Sequence, residues 1–466
     1  MDKLPDEVYL NIVNTIDPVQ DIRTTLSLRS VNKRWNRVAR PFVNYEARNV
    51  RCRLEALGAR GRWKARVKAL VYDKKFLIHL CRKLIQLDDC ASLVKALVLC
   101  KSSFGTDNIA AASADDARLY RLLLYKTVPG VPLSFRDILV GGILDEDLDS
   151  MVAFVLLTCQ NLNILRLGHY HISGRHTQYV LQLATEPRPT LAHPGQDCIL
   201  GRVEALWMDS KPRNRLTVDI GAPMLALPKL RRLGLNWCKD GVNTSWPNLR
   251  SRRLRPINLS LNECKDDLSE NGLYNVLAAC YKIRPLRSLH IDWSQGDSML
   301  SRLSRAIAKG EEQGEKLGQD LEFLWIYGLK PLRETKDAIT ARLEAAKTTD
   351  FSALRSLDGP LRSLALDRTD FPDLDSLFAA LPRSIRELLV FTSLPEDEIL
   401  RYESLLHSTA MPNLERVCLV GYQQSLIDYS LKFQNEAYEV DFKIPDTQEL
   451  REIGCTVYEK FGVSDD

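Results

Sequence analysis

The sequence predicts an α/β fold in which a short N-terminal unit of three helices precedes a long, irregular array of strand-and-helix repeats. Three observations support this prediction: an apolar helical pattern within residues 1–45, one six-residue aliphatic pattern that recurs from residue 67 to residue 419, and helical patterns between its copies. Such repeats stack into a curved parallel sheet with outer helices, because no repeat covers its own apolar face. We expect two domains, residues 1–45 and residues 46–466, the second ending in a closing helix.

Composition points to a folded intracellular protein with reduced thiols. The 466 residues are 45% hydrophobic, which supplies a sizeable core, and the net charge of +4 is too small to indicate nucleic-acid binding. The 11 cysteines form no C-x-x-C pair, and the chain starts without a charged-then-apolar leader. The longest apolar stretch, residues 151–157, is too short to span a bilayer. We expect no nucleic-acid or membrane partner and a cytoplasmic or nuclear location.

The first 45 residues carry more apolar surface than they can bury within themselves. Val8, Ile12 and Ile16 recur every fourth residue and therefore share one face of a helix, and Val31 and Trp35 line a later one. Three short helices in about forty residues are too small to be stable alone. Their apolar face therefore needs another surface, either the rest of this chain or a partner.

This segment resembles the F-box, the module by which substrate receptors dock onto Skp/cullin-type ubiquitin ligases. The resemblance rests on these residues: Leu4-Pro5-x-Glu7-Val8, Ile12, Ile16, Asp21-Ile22, Leu26, Val31-x-Lys33-x-Trp35 and Val38-Ala39. It implies a Skp-family adaptor as partner and, through the adaptor, a cullin. The adaptor-binding residues expected from it are Leu4, Pro5, Val8, Ile12, Ile16, Val31 and Trp35. The alternative is a helical cap that only covers the end of the following domain.

One pattern recurs in the rest of the chain: an aliphatic residue, two others, an aliphatic, one other and an aliphatic. Its copies lie at residues 67–72, 94–99, 162–167, 203–208, 230–235, 254–259, 286–291, 321–326, 361–366, 385–390 and 414–419. Helical patterns precede several copies, at residues 145–160, 271–282 and 374–381. Residues 333–347 form another helical pattern, 185–202 and 309–320 favour loops, and 446–461 favour the closing helix. The pattern is similar to the leucine-rich repeat, and an F-box before irregular repeats resembles fungal-type F-box substrate receptors.

Within each strand of the repeat the aliphatic residues point inward, so that the residues between them lie on the opposite face. This alternation selects a candidate surface for a target protein, made of Trp207, Asn236, His290, Asp292, Phe323, Trp325, Tyr327 and Phe391. Exposed aromatic residues of this kind commonly dominate binding. The alternative is that long loops or the closing helix fold over them.

No catalytic motif is present, and His169, His171 and His176 lack further metal ligands at suitable spacing. We therefore predict no catalytic residue, no metal, no cofactor and no enzymatic activity. The expected function is that of a substrate receptor in a Skp/cullin/F-box ligase, holding an unknown target protein. The alternative functions are a leucine-rich-repeat interaction scaffold outside any ligase and, less favoured, a receptor for small charged ligands.

Overall fold

The computed structural model describes residues 74–86, 91, 94, 96–99, 114–127, 131–168, 172–185, 199–210, 215–241, 254–262, 268–292, 299–327, 352–357, 359–368, 371, 373–392, 396–421 and 456–459. The predicted three-helix unit, with its seven adaptor-binding residues, lies outside these ranges. The strand predicted at 67–72, the helix predicted at 333–347 and most of the loop predicted at 185–202 also lie outside them. Within the described ranges, no helix combines the length and apolarity that crossing a bilayer requires.

The chain divides into two compact units. The first unit ends at Asp209 and also includes Leu227–Leu230, whereas the second contains Ser210–Ala226 and continues from Arg231. Both units are α/β, as predicted, because each combines parallel strands with helices.

The first unit is built around one helix that is buried on all sides. Its helices are α1 (Lys74–Gln86), α2 (Ala114–Thr127), α3 (Leu133–Leu144), α4 (Leu148–Thr158) and α5 (Arg175–Thr185). Every residue of α4 from Ser150 to Thr158 is buried, and α4 packs against the other four helices. The Asp147 side chain caps α4 by accepting a hydrogen bond from the Ser150 amide at 2.8 Å. The sequence predicted this helix over 145–160. The helix begins three residues later, at Leu148, because Asp147 caps its first turn.

The strands of the first unit are parallel and share two aliphatic columns. They are β1 (Ala96–Leu99), β2 (Ile164–Leu167) and β3 (Ala205–Asp209), paired in that order. The register aligns Leu97 with Leu165 and Leu206, and Leu99 with Leu167 and Met208. All six side chains are buried, so the motif positions predicted to point inward do so.

The second unit contains a longer parallel sheet. Its elements are β4 (Leu216–Thr217), α6 (Val218–Gly221), β5 (Arg232–Asn236), β6 (Cys238–Lys239), β7 (Ile257–Asn262), α7 (Glu270–Ile283), β8 (Leu286–Asp292), α8 (Met299–Glu312), β9 (Phe323–Tyr327), β10 (Ser363–Asp367), α9 (Leu374–Ala380), β11 (Glu387–Thr392), α10 (Glu396–Leu406), β12 (Arg416–Gly421) and β13 (Thr456–Glu459). Strands β5, β7, β8, β9, β10, β11 and β12 pair in that order and are parallel. Two short 3₁₀ helices, Ala222–Ala226 and Ser352–Leu357, complete the unit. The helices predicted at 271–282 and 374–381 are confirmed as α7 and α9.

Two aliphatic columns run without a break from β5 to β12. The first is Leu233, Leu259, Leu289, Leu324, Leu364, Leu388 and Val417, and the second is Leu235, Leu261, Ile291, Ile326, Leu366, Val390 and Leu419. Each of these side chains is at most 2% exposed. We call the side of the sheet that carries them the column face. Burial of an aliphatic side chain contributes roughly 1.5–3 kcal/mol, so these columns are the core of the unit.

One copy of the motif is displaced by two residues from its predicted position. The sequence aligned Leu254, Ile257 and Leu259 with the three aliphatic positions, but the register places Leu259 and Leu261 in the two columns. Aliphatic residues alternate at 257, 259 and 261, and a shift of two residues keeps every side chain on its own face. Pattern alone therefore could not determine the register of β7.

Two predicted segments, the loop over 309–320 and the closing helix over 446–461, differ from the structure. The loop predicted over 309–320 begins later, because α8 continues to Glu312. The side chain of Leu317 packs so closely on Gly310 that a Cβ there would lie 2.5 Å from it, and glycine thus allows this return of the chain. Of the closing helix predicted over 446–461, the structure describes only Thr456–Glu459, and these residues form a strand that pairs antiparallel with β12. This strand occupies the outer edge of β12.

Candidate functional site

The side chains between the aliphatic columns lie on the opposite side of the second unit's sheet, which we call the alternate face. Its middle row contains Gly234, Ser260, His290, Trp325, Ala365, Leu389 and Cys418, one residue from each successive parallel strand. The row therefore changes from polar to aromatic to aliphatic across the sheet. This change separates the face into regions of different chemistry.

The burial of the alternate-face side chains also changes across the sheet, from half-buried at β5 and β7 to mostly buried at β10 to β12. At β10 to β12 the middle row of the alternate face is buried, with Ala365, Leu389 and Cys418 each at most 1% exposed, whereas the ion-paired Glu387 and Arg416 at the start of β11 and β12 are half-buried. At β5 and β7 the alternate-face residues are half-buried, and they are Arg232, Asn236, Asn258, Ser260 and Asn262. Most of the accessible side chains of the described alternate face therefore lie at its β5–β7 end.

A hydrogen-bonded network connects the side chains at this end. The Asn262 amide donates to Asn236 Oδ1 at 2.8 Å, and Ser260 Oγ donates to Asn262 Oδ1 at 2.8 Å. Ser260 Oγ also lies 3.1 Å from His290 Nδ1. Because the hydroxyl proton is directed to Asn262, Ser260 accepts this second bond, which places the imidazole proton on Nδ1. The network thus presents amide and hydroxyl groups without a formal charge.

His290 anchors the inner end of the network. It is 7% exposed, and its ring lies edge-on to Trp325 with ring centroids 6.3 Å apart. Burial lowers the pKa of His290 to about 4, so that the imidazole is neutral at physiological pH. A serine and a histidine at this distance could form a nucleophile and base, but a base of so low a pKa is weak at neutral pH. The pair is better suited to holding the face in one arrangement.

The structure brings some of the predicted target-binding residues together and buries others. Asn236 and His290 belong to the network, and Asp292 and Tyr327 are register partners in the backbone of β8 and β9. Trp325 and Phe391 are on the predicted face but are 2% and 5% exposed. His290 is likewise 7% exposed, so that these three side chains have little surface accessible in the folded chain.

Phe323 and Trp207 remain half-buried. The guanidinium of Arg287 lies over the Phe323 ring, 5.5 Å from its centroid, and pairs with Glu322 at 3.3 Å. Trp207 lies on β3 of the first unit, where its register partner Arg166 forms an ion pair of 2.5 Å with Asp209. The Phe323 ring thus lies beside a charged side chain, as aromatic rings near the surface often do.

Sequence reasoning missed Asn258, Ser260 and Asn262 as candidate binding residues. The alternation I-N-L-S-L-N of β7 was the available signal, because each polar residue follows a buried aliphatic one. These residues are small and polar, whereas the predicted surface was defined mainly by aromatic residues. The result is a polar site at β5–β7 beside an aromatic boundary at β9.

The described cysteines are buried in the core. Cys81, Cys159, Cys238, Cys280 and Cys418 are buried thiols, and burial raises the pKa of Cys280 to about 12. In the ranges that the structure covers, no three potential ligands lie close enough to hold a metal ion. Of the three histidines considered above, His176 is described, and it packs against Phe135 with ring centroids 5.8 Å apart.

No model of a known protein family matches the chain, and no curated protein matches it either.

Proposed function

We propose that this chain is the substrate-recognition subunit of a ubiquitin ligase of the Skp/cullin/F-box type. The observation that carries the proposal is the F-box-like pattern from Leu4 to Ala39, placed before a domain of stacked repeats. The unbroken aliphatic columns of parallel strands support the leucine-rich-repeat part, since such columns are what this repeat forms when it stacks. Repeat sheets of this kind commonly bind other proteins through a face.

In this proposal the apolar face of the N-terminal helices docks into a groove of the Skp-family adaptor. An interface of ordinary size buries about 1,600 Å². The repeat domain holds a target protein, so that the target's lysines have a raised effective concentration near the transferred ubiquitin. The receptor thus promotes the reaction by proximity and contributes no catalytic group.

We place the target contact at the β5–β7 end of the alternate face, with Phe323 at its border. Asn236, Ser260 and Asn262 are half-buried there and present hydrogen-bonding groups. A target bound mainly through such groups would be recognised by shape and hydrogen bonding more than by charge. The position of the site within the face is part of the proposal.

The direct test is adaptor binding by the purified full-length chain. Wild type should bind a Skp-family adaptor in isothermal titration calorimetry, whereas a Leu4→Ala/Pro5→Ala/Trp35→Ala variant should bind at least about a hundredfold more weakly, because anchor residues dominate an interface. Trp207→Ala is the matched control, since it removes an aromatic residue from the repeat domain. It should leave adaptor affinity unchanged.

Circular dichroism and thermal melting separate this function from the alternative of a helical cap outside any ligase. If wild type and the triple variant are both folded and neither binds the adaptor, the ligase proposal fails. A triple variant that melts far below wild type, with no adaptor binding by either, would favour the cap. In that case the N-terminal apolar face would be stabilising the chain itself.

A further inference from the structure

Trp237, directly after β5, has a backbone conformation that bulky residues rarely adopt. Its φ of 60° lies in the left-handed region, where the Cβ of an L-residue comes too close to the following carbonyl oxygen. Glycine occupies this region at little cost, whereas a large side chain there is strained. Two other described residues besides glycine share the conformation, Glu146 (57°) and Leu200 (56°), and both belong to the first unit.

The surrounding backbone holds Trp237 in this conformation. Its amide donates to the carbonyl oxygen of Asn262 at 2.9 Å, and its carbonyl oxygen accepts from the amide of Leu216 at 3.1 Å. The first bond connects Trp237 to β7 and the second connects it to β4. Strained residues persist where their surroundings fix them in this way, and they cluster at functional sites. A tryptophan kept under strain therefore indicates that its side chain serves more than folding.

Trp237 lies beside the accessible part of the hydrogen-bonded network. Asn236 precedes it in the chain, and Asn262, whose carbonyl oxygen accepts its amide, donates a side-chain hydrogen bond to Asn236. Ser260 donates to Asn262 in turn. All four residues are half-buried. We call them the Trp237 corner, and a ligand that binds its two carboxamides is within reach of the indole.

The groups of the Trp237 corner match an uncharged, extended peptide. Each carboxamide has both donor and acceptor atoms, as a peptide main chain does. An ionised group bound among uncharged amides would lose its water without gaining a counter-charge. The described segments that meet here, residues 215–219, 232–240 and 257–262, carry three cations and two carboxylates, so that neither sign dominates. A helix does not match, because its own ladder already occupies its main-chain groups.

We propose that the Trp237 corner binds an uncharged, extended segment of the target protein, with Trp237 as the anchor residue. The main chain of the segment bonds to the carboxamides of Asn236 and Asn262, and one of its apolar side chains packs on the indole. Tryptophan is among the residues that most often dominate such contacts. This binding mode rests on the target contact at β5–β7 under the proposed function, and it adds the chemistry of the target.

The N-terminal segment of the same chain does not match this chemistry. Residues 1–28 carry five acidic and two basic side chains, and their apolar spacing predicts helices, whose main-chain groups are bonded internally. A saccharide can also stack on an indole and bond to carboxamides. It lacks the regular main-chain amides of a peptide, and this difference separates the two in the experiment.

Two substitutions in the full-length chain measure the strain. Trp237→Ala and Trp237→Gly both remove the indole, but only Trp237→Gly relieves a left-handed backbone. Urea denaturation should therefore show the higher midpoint for Trp237→Gly, which is the reverse of the order expected at an ordinary position in a strand. A midpoint for Trp237→Ala equal to or above that of Trp237→Gly would show that the backbone is not strained and would overturn the proposal.

The binding probe is a phage-displayed library of peptides of about 12 random residues, selected on the full-length wild type. Selected peptides should be mainly uncharged, and fluorescence anisotropy of synthetic copies gives their affinities. Trp237→Ala should weaken binding roughly tenfold or more, whereas Trp237→Phe keeps an aromatic face and should retain most of the affinity. Leu400→Ser is the control, because Leu400 on α10 is 65% exposed and lies outside the corner.

N-methylation of a selected peptide, one residue at a time, tests main-chain recognition. Successive amides of an extended chain point to opposite sides, so that methyl groups at alternate residues should weaken binding and those between them should be tolerated. Equal tolerance at every residue would contradict an extended main chain.

Three further results would also overturn the proposal. They are the selection of no peptide, the selection of charged peptides, and equal affinities of wild type and Trp237→Ala. Maltohexaose and chitohexaose are the saccharide probes, and neither should bind. Binding of either saccharide that Trp237→Ala abolishes would replace the peptide with a saccharide as the ligand.

Adaptor affinity, measured by isothermal titration calorimetry on the same preparations, separates this proposal from the ligase proposal. The Trp237 variants should bind a Skp-family adaptor as wild type does. A chain that binds peptides through Trp237 but does not bind the adaptor contradicts the ligase proposal alone. A chain that binds the adaptor but selects no peptide contradicts the role of the Trp237 corner alone.

Discussion

At the scale of single residues, His290 shows how the alternate face combines polarity with burial. Its imidazole lies between Ser260 and the ring of Trp325, and it is neutral because burial lowers its pKa to about 4. In the unfolded chain a histidine has an ordinary pKa near 6.5. The folded state therefore binds fewer protons than the unfolded state between about pH 4 and pH 6.5. Stability must fall as the pH falls through this window.

We predict that His290→Asn makes stability less dependent on pH. Asparagine is not protonated in this range, and its amide can donate to Ser260. Between pH 7 and pH 4 the wild-type free energy of unfolding should fall by about 3 kcal/mol more than that of the variant. Urea denaturation at a series of pH values measures the difference.

Replacement of His407, which is exposed after α10, is the control for this experiment. His407→Asn makes the same substitution at an exposed position, so that an effect common to both variants cannot be attributed to His290. If the unfolding free energies of wild type and His290→Asn change with pH in parallel, His290 is protonated equally in the folded and unfolded states, and the prediction is wrong.

At the scale of elements, the strands were the most predictable part of the chain. Ten of the eleven motif copies lie largely within the described ranges, and each contains a strand that starts within three residues of its first aliphatic residue. Nine of the ten align in register as predicted. The β7 copy does not, because sequence alternation is unchanged by a shift of two residues. Long-range pairing decides between such registers, and a local pattern carries no information about that pairing.

The register of β7 makes a quantitative prediction. Leu261 is 1% exposed in the second column, whereas Leu254 is half-buried before the strand. Leu261→Ala should cost about 3 kcal/mol of unfolding free energy and Leu254→Ala about 1 kcal/mol. Chemical denaturation of the two variants measures both costs, and the opposite order would favour the register predicted from sequence.

Strand β13 makes a second prediction at this scale. Val457 is the register partner of Cys418, and a proline there cannot complete the antiparallel ladder. Val457→Pro should lower stability by roughly 2–3 kcal/mol and increase light scattering on mild heating, because the edge of β12 becomes available to other chains. Val457→Thr preserves strand propensity and is the control. Equal scattering by both variants would show that the edge is protected in another way.

At the scale of the whole molecule, sequence and structure inform different parts of the proposal. The sequence supplied the F-box resemblance and the repeat pattern, whose strands determine which side chains share a face. It could not show that His290, Trp325 and Phe391 are buried, since burial on the alternate face depends on distant parts of the chain.

The ligase proposal predicts that adaptor binding and target binding can be lost separately. Affinity-purified chain from cells with the proteasome blocked should carry both adaptor and target proteins. The Leu4→Ala/Pro5→Ala/Trp35→Ala variant should lose the adaptor and keep the targets, and Asn236→Ala/Asn262→Ala should do the reverse. Quantitative mass spectrometry measures both, with Leu400→Ser as a surface control. Loss of the same proteins in both variants would contradict two independent binding surfaces.

The pairing of β13 with β12 has a consequence for how a peptide could bind at this end of the sheet. A peptide can lengthen a sheet by adding itself to a free border, and its main-chain amides then supply the affinity whatever its side chains are. At β12 that border is already taken by Thr456–Glu459 running the opposite way. A peptide that adds itself at this end must therefore pair with the four residues of β13 and not with the six of β12, so that fewer main-chain hydrogen bonds are available and its side chains must supply more of the affinity.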